Sequence, residues 1–306
     1  MKFNNKYEKI KPIGRGSFGN IYKVLDNETN NFYALKLITI VNNDDLKKFE
    51  IEYEKEIEIM KNIKNKYIIG LKDNFYEINE GYCIVMELCD GNLRDILKKY
   101  KPKGLPLNII NKIFIQLNEA LKTMIYKGCI HRDLKPENIL IKYIDNEQNN
   151  FDIKLADFGL SINEIQTTIN HHTILGTQKY MAPEIETSYY NNKCDLWSLG
   201  VILYELYTNK YIFNSEENRK KGKIVEEIDN EKINNLIRKL IQVDINKRIE
   251  WEEYFNDDFF KKKIIGERIK KTKKNLKNNN KITLIIYLLI FLIFIILPFI
   301  LLKKIK

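Results

Sequence analysis

The hydrophobic pattern of this chain changes period once, near residue 90, and that change limits the folds open to it. Before it, Tyr7–Ile13, Gly19–Asp26, Phe32–Ile40, Leu71–Glu77 and Tyr82–Leu88 alternate or are β-rich, and Gly- or Asn-rich turns separate them. These segments read as strands. Among them Asp44–Ile63 carries Phe49, Tyr53, Ile57, Met60 and Ile63 at steps of three or four, a helical spacing. From Leu93 onward the helical period dominates, over Asn108–Tyr126, Cys194–Tyr207 and Asn230–Ile241. Strands followed by helices predict an α+β fold, a β-rich lobe leading into a mainly helical one. No internal repeat is visible at periods of 20–50 residues.

A formal net charge of +10 over 306 residues first suggests nucleic acid or an anionic membrane as partner. The placement of the charge decides. Residues 261–306 hold 13 Lys and Arg against one acid, Glu267, a net of +12, whereas 1–260 holds 38 bases against 40 acids, a net of −2. Inside that tail, 282–302 is 21 residues without a charge. As a helix it spans about 31 Å, close to the hydrocarbon thickness of a bilayer. A transmembrane helix over 282–302 is therefore expected, with 261–281 as a basic juxtamembrane linker and no nucleic-acid partner. Ten Lys and Arg precede the run and three follow it, which places 1–281 in the cytosol and 303–306 across the membrane as a short lumenal or intermembrane tail. The arrangement resembles tail-anchored membrane proteins of the endoplasmic reticulum or mitochondrial outer membrane. The linker bases should add attraction to anionic lipid, at about 1 kcal/mol per charge near the surface. The first 25 residues contain no apolar run, so no secretory signal is expected. Cys83, Cys89, Cys129 and Cys194 lie far apart with no C-x-x-C pair, which argues against a disulfide scaffold or zinc cluster.

Four short motifs carry chemistry. Gly14-Arg15-Gly16-Ser17-Phe18-Gly19 lies between two predicted strands. Glycines let backbone N–H groups approach a phosphate with no side chain in the way. A dinucleotide fingerprint of the same spacing opens a helix, but Asn20–Leu25 is strand-like, which favours a flap over a nucleotide. Lys36, in Tyr33-Ala34-Leu35-Lys36, falls on the next strand, and Glu56 on the following helix offers it a partner acid. The remaining two are His131-Arg132-Asp133-Leu134-Lys135-Pro136-Glu137-Asn138 and Asp157-Phe158-Gly159. Phosphoryl transfer needs a carboxylate near the attacking hydroxyl, oxygen ligands for Mg²⁺ and cations against developing charge. Asp133, then Asn138 with Asp157, then Lys135 with Lys36 supply these.

At this point 7–260 resembles the eukaryotic protein kinase family. The flap, the strand Lys, H-R-D-x-x-x-x-N, D-F-G, Met181-Ala182-Pro183-Glu184, Asp195–Gly200 and Arg248 stand in that family's order. The resemblance implies a two-lobed kinase fold, with an N-lobe of about 7–88 and a C-lobe of about 89–260. It implies ATP with Mg²⁺ or Mn²⁺, and transfer to serine or threonine of protein substrates. Asp133 would orient the hydroxyl and accept its proton, and Lys135 would steady the γ-phosphate. Lys36 would hold the α- and β-phosphates and pair with Glu56, while Asn138 and Asp157 would bind the metal. Ile13, Gly14, Arg15, Gly16, Ser17, Phe18 and Gly19 would form the flap. Ile21, Ala34 and Leu140 would sandwich adenine, with Met86 behind it and the backbone from Glu87 to Cys89 hydrogen-bonded to it. Glu184 would pair with Arg248. A membrane-tethered pseudokinase acting as a scaffold is the alternative.

The Lys two residues after Asp133 and the run Gly176–Tyr180 look like serine/threonine kinases, with Thr177 bridging Asp133 and Lys135. Arg132 implies a cationic pocket for an activation-loop phosphate, with Thr173 the candidate phosphosite and Thr167 and Thr168 behind it. His131 fits a structural residue stacked under Phe158, and His171 and His172 are loop residues. Asn65-Lys66-Tyr67 departs from the family's usual His-Pro-Asn, and Ile245 stands where Pro is common. The stretch Thr208–Asn230 is short and polar, so a reduced helix is expected there.

Overall fold

The computed structural model describes residues 2–16, 19–39, 46–145, 150–163, 178–187 and 190–261. The chain forms two compact units, Met1–Phe255 and Asn256–Lys306. In the second, the described part is a helical turn in which Lys261 pairs with Asp258 at 2.7 Å.

The first unit opens with β1 (Lys2–Phe3), β2 (Tyr7–Gly16), β3 (Gly19–Asp26) and β4 (Asn31–Ile38), then α1 (Leu46–Asn62), β5 (Leu71–Glu77) and β6 (Gly81–Glu87). The six strands form one antiparallel sheet in the order β1-β2-β3-β4-β6-β5. The first predicted strand runs three residues further than expected, so Gly14 and Gly16 belong to β2 itself. Strand alternation assigns the two faces. Leu35 and Leu37 join Phe3, Tyr7, Val24, Cys83 and Val85 in one apolar cluster. Ala34, Lys36 and Ile38 alternate with them. Helix α1 buries Tyr53, Ile57 and Met60 of the expected stripe together with Glu56 and Ile59, while Phe49 is half-buried. Tyr7 stacks on Phe75 with ring centroids 5.9 Å apart and donates its hydroxyl to Asp73 at 2.8 Å.

The two outer glycines of the flap do different work. A Cβ on Gly19 would lie 2.0 Å from the Leu37 carbonyl oxygen, whereas at Gly14 the nearest atom is Ile21 Cδ1 at 4.0 Å. Gly19→Ala must therefore part β3 from β4, an overpacking strain of about 1–3 kcal/mol. Scanning fluorimetry should show Tm lowered by about 2–12 °C for Gly19→Ala and by under about 2 °C for Gly14→Ala. Equal melting of the two variants would refute this assignment.

The helical part follows. It comprises β7 (Gly91–Asn92), α2 (Leu93–Lys99), α3 (Leu107–Tyr126), β8 (Cys129–Ile130), β9 (Ile139–Tyr143), β10 (Phe151–Leu155) and β11 (Ile162–Asn163). It continues through α4 (Lys193–Thr208), α5 (Glu216–Lys220), α6 (Glu231–Leu240) and α7 (Trp251–Phe255). Asn92 and Asp95 form a reciprocal capping box that starts α2. Helix α4 is the centre of this lobe, buried continuously from Lys193 to Leu206. A Cβ on its Gly200 would come within 2.9 Å of Leu240 Cβ, so glycine there permits the close approach of α4 and α6. The stretch read as short and polar holds only the five-residue α5. Strands β9 and β10 pair as a hairpin, with β7 alongside, and β11 pairs with β8.

Among the described residues no helix is long and apolar enough to cross a membrane. The segment 282–302 lies outside the described residues, as do Ser17, Phe18, Thr167, Thr168, His171, His172, Thr173 and Thr177.

Candidate active site

Lys36 sits on β4, facing α1, where sequence alternation puts it. Its Nζ lies 2.8 and 2.9 Å from the two Glu56 carboxylate oxygens and 3.0 Å from Asp157 Oδ1. Lys36 and Glu56 are only 2% and 3% exposed, so this is a buried ion pair. Burial opposes the ammonium, but Glu56 and Asp157 outweigh it and hold the Lys36 pKa above its ordinary value. The same burial pushes the Glu56 carboxyl up, against the pull of Lys36.

The loop between β8 and β9 brings three predicted residues together. Lys135 Nζ is 2.6 Å from Asp133 Oδ2. Asn138 Nδ2 donates to the same oxygen at 3.0 Å and to the Asp133 carbonyl at 2.9 Å. Because its amide nitrogen is used this way, Asn138 keeps Oδ1 as an acceptor. The loop is fixed from behind. Asp195, in the first turn of α4, accepts from His131 N at 2.8 Å and Arg132 N at 2.9 Å. Burial raises the Asp195 carboxyl pKa, and these hydrogen bonds and nearby cations work against that rise. Arg132 itself has a φ of 65°, a left-handed conformation uncommon outside glycine.

Asp157 is likewise left-handed, at φ 66° and ψ 72°. Asn138 and Asp157 are tied by the β9–β10 hairpin, since Ala156 N donates to the Asn138 carbonyl at 2.9 Å. The Ala156 carbonyl lies 3.1 Å from His131 Nε2. The His131 and Phe158 rings are 5.4 Å apart but inclined at 52°, a tilted contact where a stack was expected.

On the other side, Ala34 is buried and Ile21 and Leu140 are half-buried, while Ile13, Gly14 and Arg15 are exposed on β2. The backbone after β6 is strapped from outside. The Glu87 carboxylate accepts from Gly70 N at 2.9 Å and pairs with Lys154 at 2.7 Å, and Lys142 donates to the Leu88 carbonyl at 2.9 Å. Burial and the neighbouring Glu87 push the Cys89 thiol up to about 12. Burial does the same for Cys83 and Cys129, and raises Cys194 well above its ordinary value. Iodoacetamide at pH 7.5 should therefore alkylate the folded protein about 10³-fold more slowly than a free thiol, because the thiolate is the reactive form. Mass-spectrometric labelling at the free-thiol rate would contradict it.

Arg132, the residue implied as a pocket for an activation-loop phosphate, is half-buried and engages two neighbours. Its Nε donates to the Leu160 carbonyl at 2.5 Å and its Nη1 to the Tyr190 hydroxyl at 2.7 Å. Glu184 and Arg248 form the expected pair, bidentate at 2.5 and 2.9 Å.

The protein kinase domain family model matches residues 7–260. The chain belongs to the protein kinase family. It is 37% identical over 215 residues to serine/threonine-protein kinase 33 of Bos taurus, covering 67% of this chain and 43% of that one. It is 33% identical over 270 residues to serine/threonine-protein kinase atg1 of Dictyostelium discoideum, covering 84% of this chain and 39% of that one. The kinase thus spans less than half the length of either relative. A crystal structure of a kinase domain aligns with a TM-score of 0.71 at 20% identity, covering 85% of this chain and 97% of that one. This likeness supports the two-lobed kinase fold.

Three groups at this kinase site escaped sequence reasoning. Arg94 joins Glu137, Glu205 and Tyr180. Arg219 on α5, 2% exposed, donates to the Met181 carbonyl at 2.9 Å and pairs with Glu186. Tyr190 holds Arg132. Asp195 had a signal, its place in the Asp195–Gly200 motif, but that motif does not say what it binds.

Proposed function

We propose that this chain is an ATP-dependent serine/threonine protein kinase, held at a membrane by 282–302 with its kinase domain in the cytosol. The observation that carries the catalytic part is the convergence on one carboxylate. Asp133 Oδ2 receives Lys135 at 2.6 Å and Asn138 at 3.0 Å, while Lys36 bridges Glu56 and Asp157. Asp133 orients the substrate hydroxyl and takes its proton as the oxygen bonds to the γ-phosphorus and the bond to the β–γ bridging oxygen breaks. Lys135 offsets charge on the γ-phosphate, and Lys36 does so on the α- and β-phosphates. The β2–β3 flap covers the phosphates, including Ser17 and Phe18, and adenine lies between Ile21, Ala34 and Leu140 against the backbone of Glu87 and Cys89. The kinase resemblance assigns Thr177 the role of bridging Asp133 and Lys135 and Thr173 that of the activation-loop phosphosite, and both lie outside the described residues.

The donors fit Mg²⁺ and, by the same chemistry, Mn²⁺. Among the described residues no cluster of three or more His, Cys, Asp or Glu is placed to hold a metal alone. Asn138 Oδ1 and the Asp157 carboxylate are two oxygen donors, and Mg²⁺ usually takes one or two protein carboxylates and completes its shell with phosphate oxygens and water. When bound, the ion neutralises phosphate charge. Serine and threonine are preferred on the strength of Lys135, two residues after Asp133, and of the relatives' printed names.

The test is transfer of label from γ-labelled ATP with Mg²⁺ to a general protein substrate by the full chain in detergent. Label no greater than that given by Lys36→Met would end the enzyme reading. For the anchor, carbonate-washed membranes should retain the full chain and release a 1–281 truncation. Retention of the truncation in high salt would refute anchoring by 282–302.

A further inference from the structure

A cluster of ionisable side chains around Arg94 lies beside the catalytic loop and includes one of its residues, Glu137. Four elements meet there. Arg94 lies in the first turn of α2, Glu137 in the turn between Lys135 and Asn138, Glu205 on α4, and Tyr180 just before Met181. Arg94 Nε donates to Glu137 Oε1 at 2.8 Å. Its Nη1 and Nη2 donate to Glu205 Oε1 and Oε2 at 2.5 and 3.3 Å, and Nη2 also reaches the Tyr180 hydroxyl. Tyr180 in turn donates to Glu205 Oε2 at 2.6 Å. One guanidinium thus serves two carboxylates, one of them, Glu205, only 9% exposed.

Glu137 is exposed and lies four residues after Asp133 in the same loop, so a protein that presents a hydroxyl to Asp133 would come close to it. An extended chain advances about 3.3 Å per residue, so a side chain a few positions from the acceptor reaches this cluster. Two carboxylates beside a substrate path form a receptor for an Arg or Lys of the substrate, because bidentate guanidinium–carboxylate pairing is among the strongest polar contacts. Here the chain's own Arg94 fills that receptor.

We propose that Arg94 is a specificity-determining residue that occupies from within an acidic receptor for basic substrate side chains. The enzyme accordingly does not select Arg or Lys beside its phosphoacceptor. This rests on the kinase reading above. It names the substrate class as hydroxyl-bearing segments without a basic anchor, and removing Arg94 exposes the receptor.

The experiment uses the full chain in detergent, ATP with Mg²⁺, and a serine peptide series carrying a single Arg or Ala at each of five positions on either side of the acceptor. The wild type should phosphorylate Arg and Ala members within about 3-fold of each other at every position. Arg94→Ala should favour Arg by about 10-fold or more at one or two positions, chiefly through KM, the size expected of a charged hydrogen-bonded pair. Arg94→Lys, which keeps the charge, should restore the flat profile. If Arg94→Ala does not fold, Arg94→Gln, which keeps an amide donor but no charge, takes its place with the same expected preference. A wild type that already favours Arg by 10-fold overturns the proposal whatever the variants do. So does a folded Arg94→Ala or Arg94→Gln with a flat profile. Failure of the kinase reading is distinct, since then no peptide of the series would be labelled above the Lys36→Met background.

Discussion

Asp133→Ala is expected to lower kcat for protein phosphorylation by about 10³-fold, inside the 10²–10⁴ range of a positioned general base. KM for ATP should change by less than about 3-fold, since the interaction lost belongs to the transition state. Asp133 also anchors Lys135 at 2.6 Å and Asn138 at 3.0 Å, so alanine removes both contacts to the carboxylate, while Asn138 keeps its bond to the main-chain carbonyl of residue 133 at 2.9 Å. Asp133→Asn separates the two effects. It keeps the shape and an oxygen that can still accept from Lys135 and Asn138, but it removes the carboxylate that takes the proton. If positioning dominates, Asn should retain far more activity than Ala; if proton acceptance dominates, the two should be equally slow. Steady-state kinetics with a serine peptide decide this, and a kcat within 10-fold of wild type for Asp133→Ala would remove Asp133 from the proposed role.

The largest stability effect is expected at Arg248, which is 1% exposed. Its guanidinium pairs with both Glu184 oxygens, donates to the Lys193 carbonyl at 2.9 Å and to the Gln242 carbonyl at 3.0 and 2.7 Å, and lies 5.2 Å from the Trp197 ring centre. Arg248→Met leaves Glu184 buried without its cation, and breaking a buried pair this way costs about 3–5 kcal/mol. For a domain of this size that is about 6–20 °C in Tm. Glu184→Gln should cost less, about 1–3 kcal/mol, because the guanidinium keeps three carbonyl contacts. The double variant Glu184→Leu/Arg248→Met should not recover wild-type stability, since the Lys193 and Gln242 carbonyls would still lack their donor. Calorimetric unfolding with Arg248→Met within about 1 kcal/mol of wild type would overturn the ranking.

What the sequence reveals and what it hides follow from how far apart the partners lie in the chain. Strands β2 to β6 of the N-terminal sheet and the helices α1, α3, α4 and α6 are legible because each signals itself through local periodicity, whereas the two-residue β1 is too short to carry a period. The catalytic cluster is legible for a similar reason, since Asp133, Lys135 and Asn138 share one short loop. Lys36 and Glu56 are 20 residues apart, and a strand period and a helix stripe orient both toward the same interface. Arg94 and Glu205 are 111 residues apart on two helices, and neither helix's pattern points to the other. Arg219 was hidden by its surroundings, in a stretch so polar that a buried arginine did not stand out. The tilt of Phe158 on His131 and the capture of Arg132 by Tyr190 depend on side-chain packing, which no motif encodes.

The two backbone hydrogen bonds from His131 and Arg132 to Asp195 reach further than the loop they hold. Asp195 belongs to a helix buried from Lys193 to Leu206, so these amides are shielded until the centre of the C-lobe opens. In heavy water their deuterium uptake should therefore follow the rare opening of α4, whereas amides of α1 can exchange through smaller, local openings. The catalytic loop thus doubles as an isotopic gauge of the helical core. Ligands that slow uptake there must act on the core, and those that slow it only in α1 act on the sheet half of the cleft.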